Sequence, residues 1–210
     1  MDQFAFLIPI AGVLMVGAMS PGPSFLVVAR NAMGRSRAHG IATAVGTGLG
    51  VAIFALLAGL GVTALLRTSP LAFLLFKLLG GCYLIYLASR LFMTAAEPLS
   101  VEAQVNNKDR SLFRAFSQGL IVQTSNPKTA LVIAGIFAAF VPVGAPLQAT
   151  VMVACMAFVI DFSWYAIVAL GLSSGRLRAA YSARKTVFDR TAAVFLGLVG
   201  VRLLFSSLPA

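Results

Sequence analysis

Charged residues are scarce in this chain of 210 residues: they make up 10% of it, and only six are acidic. Soluble globular proteins carry about 25% charged residues, so this composition excludes a wholly soluble protein. Hydrophobic residues make up 60%, and several apolar runs reach about 20 residues, the length of a membrane-spanning helix. The composition therefore predicts an all-α integral membrane protein. We expect a single transmembrane domain over residues 1–210, because no segment of about 50 residues remains for a soluble one.

Histidine and cysteine are also rare. His39 is the only histidine and follows several basic residues, which excludes a multi-histidine metal site or a histidine triad in the membrane. Cys82 and Cys155 lie within apolar runs and are predicted to be small buried hydrophobic residues, not a disulfide or metal pair. The chain lacks H-E-x-x-H, G-x-S-x-G and a P-loop. We therefore predict no enzyme, no cofactor and no bound metal.

The net charge of +10 raises the question of nucleic-acid binding, but the basic residues are not interleaved with aromatic residues on a soluble surface. Twelve of the 16 Lys and Arg residues fall in three connections between apolar runs. Positive charge marks the cytoplasmic side of a membrane protein, so both termini are predicted to lie outside the cytoplasm. No nucleic-acid partner is expected.

Six spans are predicted, in two halves. They cover about residues 4–29, 40–66, 71–93, 113–141, 147–172 and 189–207. The first repeat covers about residues 1–93, a polar linker 94–112, and the second repeat 113–210. Because each half holds three spans, the second half enters the membrane from the opposite side. Within the second span, Ala42, Gly46 and Gly50 lie on one face and predict close helix packing.

The first and fourth spans each contain a proline break. Residues 19–30 read MSPGPSFLVVAR, with Gly22 between Pro21 and Pro23, and residues 125–128 read SNPK. Proline removes a backbone donor and interrupts a helix. In hydrocarbon such a break is tolerated only where it faces protein or a water-filled cavity. Inverted repeats with matching interrupted helices are typical of secondary transporters whose substrate site lies near the midplane.

Polar groups near the two breaks predict a substrate site. The helix that resumes after Pro23 presents free N–H groups and a positive dipole end, which suit an anion such as the carboxylate of an amino acid. Polar residues crowd the start of the fourth span and are expected to line a wet cavity: Gln118, Gln123, Thr124, Ser125, Asn126 and Thr129. The predicted substrate-binding residues are Pro21, Gly22, Pro23, Ser24, Gln123, Asn126, Pro127 and Lys128.

Four charged residues lie at least five residues from either end of a predicted span. Asp161 is the only acid deep in a span, and it is interpreted as a proton-coupling site or a partner for a substrate ammonium group; a structural ion pair or a hydrated helix contact is the alternative. Lys128 could pair with Asp161 or hold a carboxylate. Lys77 is expected to extend to the nearer membrane face, and Arg202 to bind carbonyl groups at the end of a neighbouring helix.

Three segments resemble the LysE/RhtB superfamily of amino-acid exporters, especially its homoserine/threonine-exporter branch. They are MSPGPSFLVVARNAMGRSRAHGIATAVGTGLG, KLLGGCYLIYLASRLF and SNPKTALVIAGIFAAFV. The resemblance implies a bacterial inner-membrane exporter of amino acids or related metabolites, driven by the proton gradient. Residues 21–23 and 126–128 match the family motifs, whereas Ser36 stands where many members have glycine. A homo-oligomer is left open.

Two other functions are weighed. An exporter of inorganic cations would need several intramembrane carboxylates, thiolates or imidazoles, and the chain offers one acid and two scattered cysteines. A non-transporting scaffold or intramembrane enzyme is the third possibility. Which amino acid would be carried cannot be read from the sequence, because one or two contacts decide it.

Overall fold

Helices make up almost all of the described structure. The computed structural model describes residues 5–20, 22–97, 111–142, 145–171 and 175–205, and within these ranges it contains no strand. The eight α-helices of these ranges are α1 (Leu7–Met19), α2 (Pro23–Gly34), α3 (Arg37–Thr68), α4 (Pro70–Met93), α5 (Leu112–Thr124), α6 (Pro127–Phe140), α7 (Leu147–Gly171) and α8 (Gly175–Phe205). A single 3-10 turn, Thr94–Ala96, follows α4. Most of the predicted linker, residues 98–110, lies outside the described residues.

Short local signals in the sequence explain where several helices begin. A side-chain oxygen of the preceding residue accepts a hydrogen bond from the first turn of α3, α4, α5 and α6; these caps are Ser36, Ser69, Ser111 and Asn126. Proline occupies the first position of α2, α4 and α6, where its missing N–H costs no helical hydrogen bond. Each of these prolines interrupts the preceding helix and is the first residue of the next one.

Both predicted breaks are present. The first predicted span is a pair of helices, Leu7–Met19 and Pro23–Gly34, bent by 56°. The second break separates α5 from α6, between Thr124 and Pro127. Three further helical stretches, Arg37–Val62, Leu71–Ala96 and Leu147–Gly171, are long and apolar enough to cross a membrane, and they correspond to the second, third and fifth predicted spans. The number of six spans stays a prediction.

Helix α8 differs from the predicted sixth span. The span was expected to start at residue 189, where the apolar run begins, but the helix starts at Gly175. Its first half is rich in basic residues, which are compatible with a helix but not with an apolar span. The apolar run therefore does not show where the helix starts. As a result Asp189, the first residue of the predicted span, is buried in the middle of α8 with 2% of its surface exposed.

Helix α3 packs closely against its neighbours, most extensively α5 and α7, while α4 packs mainly on α8. A Cβ atom on Gly46 would overlap the carbonyl oxygen of Phe116, and one on Gly119 would overlap that of Thr43. At Gly50 a Cβ would lie 2.7 Å from the Cβ of Gln123. The prediction that Gly46 and Gly50 allow a close helix contact is confirmed.

Two predictions about single residues are wrong. Lys77 does not extend to a membrane face, because only 2% of its surface is exposed. Cys82 and Cys155 are free thiols but are exposed, not buried, on the outer faces of α4 and α7. Large apolar side chains on the same helices are also exposed, among them Leu79 and Ile167, as expected for surfaces that face lipid.

The prediction for Arg202 is confirmed. Its Nε donates a hydrogen bond of 3.0 Å to the carbonyl oxygen of Ala139, near the end of α6. Its guanidinium also lies 4.4 Å from the centre of the Phe140 ring. These two contacts join the last turns of α8 and α6.

The substitution Gly119→Ala should destabilise the protein, because its methyl group would press on the backbone of α3, which cannot rotate away. Overpacking of this kind costs about 1–3 kcal/mol. Gly61→Ala on α3 is the matched control, since a Cβ there meets nothing within 4 Å. Thermal unfolding in detergent measures the difference, and equal midpoints for the two variants would contradict the close α3–α5 contact.

Candidate functional site

A cavity lies between the two helix breaks. Its volume is about 60 Å³, several times the roughly 10–15 Å³ that accommodates one water molecule. Residues from both breaks line one part of it, and all of them except Gly22 are polar: Ser20, Gly22, Ser24, Gln123, Asn126, Lys128 and Thr129. Apolar residues form much of the remaining wall, among them Val13, Leu14, Val51, Val132, Ile133 and Ile160. The cavity therefore combines a polar region with an apolar surface.

Hydrogen bonds connect the two breaks directly. The Ser24 hydroxyl, at the start of α2, donates to Oε1 of Gln123 at the end of α5. The amide Nε2 of Gln123 in turn donates to Oδ1 of Asp161 on α7, over 3.4 Å. All three residues are buried, with 6% of the surface of Asp161 exposed and 3% of that of Ser24 and Gln123. Gln123 thus links α2, α5 and α7 around the cavity.

The two helix starts at the breaks differ. Among the described residues, no side chain caps the start of α2, whose N-cap residue is Gly22 in an extended conformation. The start of α6 is capped, because Oδ1 of Asn126 accepts a 3.0 Å hydrogen bond from the amide of Lys128. Uncapped N–H groups at a helix start attract anions. The start of α2 is therefore the better candidate for binding a negatively charged group.

Asp161 is the acidic group of the cavity. Its side chain is buried, with 6% of the surface exposed, and Thr47 of α3 lies beside it. One carboxylate oxygen, Oδ2, has no hydrogen-bond partner within the described part of the chain. A buried carboxylate oxygen without a partner is costly, so such an atom is suited to receive a proton or an ammonium group.

Lys128 does not pair with Asp161, so that suggested ion pair is wrong. Its Nζ donates a 3.0 Å hydrogen bond to the hydroxyl of Ser20, at the end of α1. The carboxylate that attracts Lys128 is that of Asp189, which accepts a 3.3 Å hydrogen bond from the same serine hydroxyl. Lys128 thus lines the cavity, and the Ser20 hydroxyl lies between it and its counter-charge, Asp189.

Most of the predicted site residues lie at the cavity. Gly22, Ser24, Gln123, Asn126, Lys128 and Asp161 all line it. Pro23 and Pro127 begin α2 and α6 and do not belong to the lining, and Pro21 lies outside the described residues. Their roles in binding and coupling stay predictions.

Three of the polar residues expected to line a wet cavity do not. Thr124 and Ser125 are exposed on the outside of the protein. Gln118 accepts a 3.1 Å hydrogen bond from Asn31 instead, and Asn31 also donates to Thr43 over 2.9 Å. This separate buried contact joins α2, α3 and α5. The orientation of α5 about its own axis decides which of its polar residues face the interior and which face outward.

Sequence reasoning missed Asp189 and its partner Lys185, whose Nζ lies 2.8 Å from Oδ2 of Asp189. The two are four residues apart, a spacing that places oppositely charged side chains side by side on a helix. That spacing was the available signal. Across the part of the chain that the structure describes, no group of three or more His, Cys, Asp or Glu residues is placed to hold a metal ion.

Comparisons with known proteins find a family and several relatives. The family model described as "LysE type translocator" matches residues 15–207. The threonine efflux protein of Escherichia coli K12 is 26% identical over 198 residues, covering 94% of this chain and 96% of the relative. The leucine efflux protein of Salmonella choleraesuis is 34% identical over 137 residues, 63% of each chain. An uncharacterised E. coli membrane protein, YahN, is 25% identical over 98% of this chain and 92% of its own.

No solved structure matches the chain. The family model, however, spans nearly the whole sequence, including both proline breaks, most of the cavity lining and Asp189. The resemblance noted from the motifs is thereby confirmed: the chain belongs to the LysE-type translocator family.

Proposed function

We propose that this protein exports amino acids across the bacterial inner membrane in exchange for protons. The observation that carries the proposal is the cavity between the two breaks, whose lining includes Lys128, Gly22 at the uncapped start of α2, and Asp161. One carboxylate oxygen of Asp161 has no hydrogen-bond partner among the described residues. An amino acid carries one negative and one positive group, and this cavity offers a counterpart for each. Relatives named threonine and leucine efflux proteins add support.

In this proposal the substrate carboxylate binds Lys128 and the N–H groups at the start of α2. The substrate ammonium group binds Asp161, and its side chain packs against the apolar wall formed by residues such as Val51 and Ile133. Among the lining residues that the structure describes, the ionisable groups are Lys128, Asp161 and the Tyr165 hydroxyl. A substrate with an additional charge would lack a partner in the cavity, so we propose neutral amino acids as the substrates.

In this proposal, coupling to protons depends on Oδ2 of Asp161, which has no hydrogen-bond partner among the described residues. A proton and a substrate ammonium group compete for the same buried carboxylate, and only one can occupy it. When the carboxylate holds neither a proton nor a substrate ammonium group, its charge is energetically unfavourable in this environment. The protein would therefore return across the membrane only with the proton, which makes the exchange obligatory.

The proposed architecture has six spans in two inverted repeats. In this arrangement α1 and α2 correspond to α5 and α6, α3 to α7, and α4 to α8. The packing of α3 on α7 and of α4 on α8 supports it, because corresponding helices then meet at the centre. In this proposal both termini lie in the periplasm, because positive charge in the basic connections favours the cytoplasmic side for those connections. The repeats, about residues 1–93 and 113–210, would form one domain joined by the linker at 94–112.

Asp161→Asn should abolish proton coupling, because an amide cannot exchange a proton. In proteoliposomes, efflux of labelled L-threonine or L-leucine driven by a pH gradient should fall at least about tenfold, the effect expected when a proton-transfer group is removed. Exchange of labelled for unlabelled substrate should persist more strongly than the coupled flux. Asp161→Glu should restore part of the coupling. Unchanged pH-driven efflux in Asp161→Asn would remove Asp161 from the mechanism.

Lys128→Met should raise the KM for the transported amino acid at least about tenfold, since losing a charged partner of a buried carboxylate costs about 2 kcal/mol or more. Lys128→Arg should restore part of the affinity. Thr124→Val is the control: its hydroxyl binds only carbonyl groups of its own helix and is exposed. Equal KM values for Lys128→Met and Thr124→Val would contradict carboxylate binding by Lys128.

A further inference from the structure

Asp189 is a buried acid for which the proposed exchange has no use. It lies on α8 with 2% of its surface exposed and does not belong to the cavity lining. Its Oδ1 accepts a hydrogen bond from Ser20 over 3.3 Å, and its Oδ2 pairs with Lys185 over 2.8 Å. Ser20 does line the cavity. Asp189 is therefore one side chain away from the substrate site.

The contacts continue beyond Asp189 to the end of α4. Lys185 Nζ also donates to the carbonyl oxygen of Ala95 over 3.2 Å, and the hydroxyl of Thr186 donates to the same oxygen over 3.2 Å. Ala95 is fully buried in the turn Thr94–Ala96. A continuous line of polar contacts thus runs from Lys128 at the cavity, through Ser20, Asp189 and Lys185, to this turn.

Two ammonium groups share the one carboxylate. Lys185 contacts Asp189 directly, whereas Lys128 reaches it through the Ser20 hydroxyl and by charge attraction. A buried ammonium group without a counter-charge is strongly unfavourable. When the cavity is empty, Asp189 supplies the counter-charge for Lys128. A substrate carboxylate that binds Lys128 must compete with it.

We propose that Asp189 is a positioning residue that sets substrate affinity by competing, through Ser20, with the substrate carboxylate for Lys128. The inference rests on the proposed function. An exporter has to release its substrate on the far side, and an internal carboxylate that regains Lys128 favours this release. Lys185 moderates the competition, because it holds part of the Asp189 charge.

Opposite effects are expected from the two halves of the Lys185–Asp189 pair. Asp189→Asn removes the competitor, so the KM for the amino acid should fall roughly three- to tenfold, and the maximal rate should fall because release slows. Lys185→Gln leaves the whole Asp189 charge for Lys128, so the KM should rise by a similar factor. Arg184→Gln is the matched control: it removes one positive charge from an exposed position next to Lys185 and should leave the KM unchanged.

The measurement is the concentration dependence of L-threonine and L-leucine transport in proteoliposomes, with thermal unfolding of each variant in detergent. A purely structural ion pair would lower the unfolding temperature of both variants and move their KM values together or not at all, which would overturn the inference. If Asp189→Asn does not fold, Lys185→Gln decides, since an unchanged or lower KM contradicts the competition. No transport of either amino acid by the wild-type protein would instead overturn the proposed function, and this inference with it.

Discussion

The backbone polar groups freed by the prolines at the two breaks are the constraint on which the rest of the structure depends. In hydrocarbon each such group costs several kcal/mol unless it finds a partner or water. Neither break can therefore face lipid. The structure places the two breaks against each other, with Ser24 bonded to Gln123 and a cavity of about 60 Å³ beside them. A buried polar space between apolar helices follows from this one requirement.

Once this space exists, it determines where charges can lie inside the protein. Lys128 and Asp161 both line the cavity, but they do not neutralise each other. Lys128 is directed toward Ser20 and Asp189, which leaves one oxygen of Asp161 without a partner among the described residues. In the proposed mechanism, the separation of the two charges makes a zwitterionic substrate a suitable occupant. A direct Lys128–Asp161 pair would have closed the site to both ends of an amino acid.

Much of this arrangement could be predicted from the sequence, because the signals are local. The prolines at 23 and 127, the cap at Asn126 and the closely packed Gly46 and Gly50 all act within one or two helical turns. What failed depended on the position of a helix relative to others. Asp189 is the first residue of the predicted sixth span, because the apolar run starts there, but it lies in the middle of α8. Lys77 is expected to extend to a membrane face, but it is buried. The orientation of α5 about its axis, which exposes Thr124 and buries Gln123, could not be predicted from the sequence either.

The accessibility of Gly22 tests the central claim most directly. With Cys82 and Cys155 replaced by serine, Gly22→Cys should react with a charged, water-soluble thiol reagent, and added L-threonine or L-leucine should slow the reaction. Ile167→Cys, on the exposed apolar face of α7, should react poorly with this reagent and show no protection. A cysteine at 22 that reacts only with lipid-soluble reagents, or is never protected by an amino acid, would contradict a hydrated substrate chamber between the breaks.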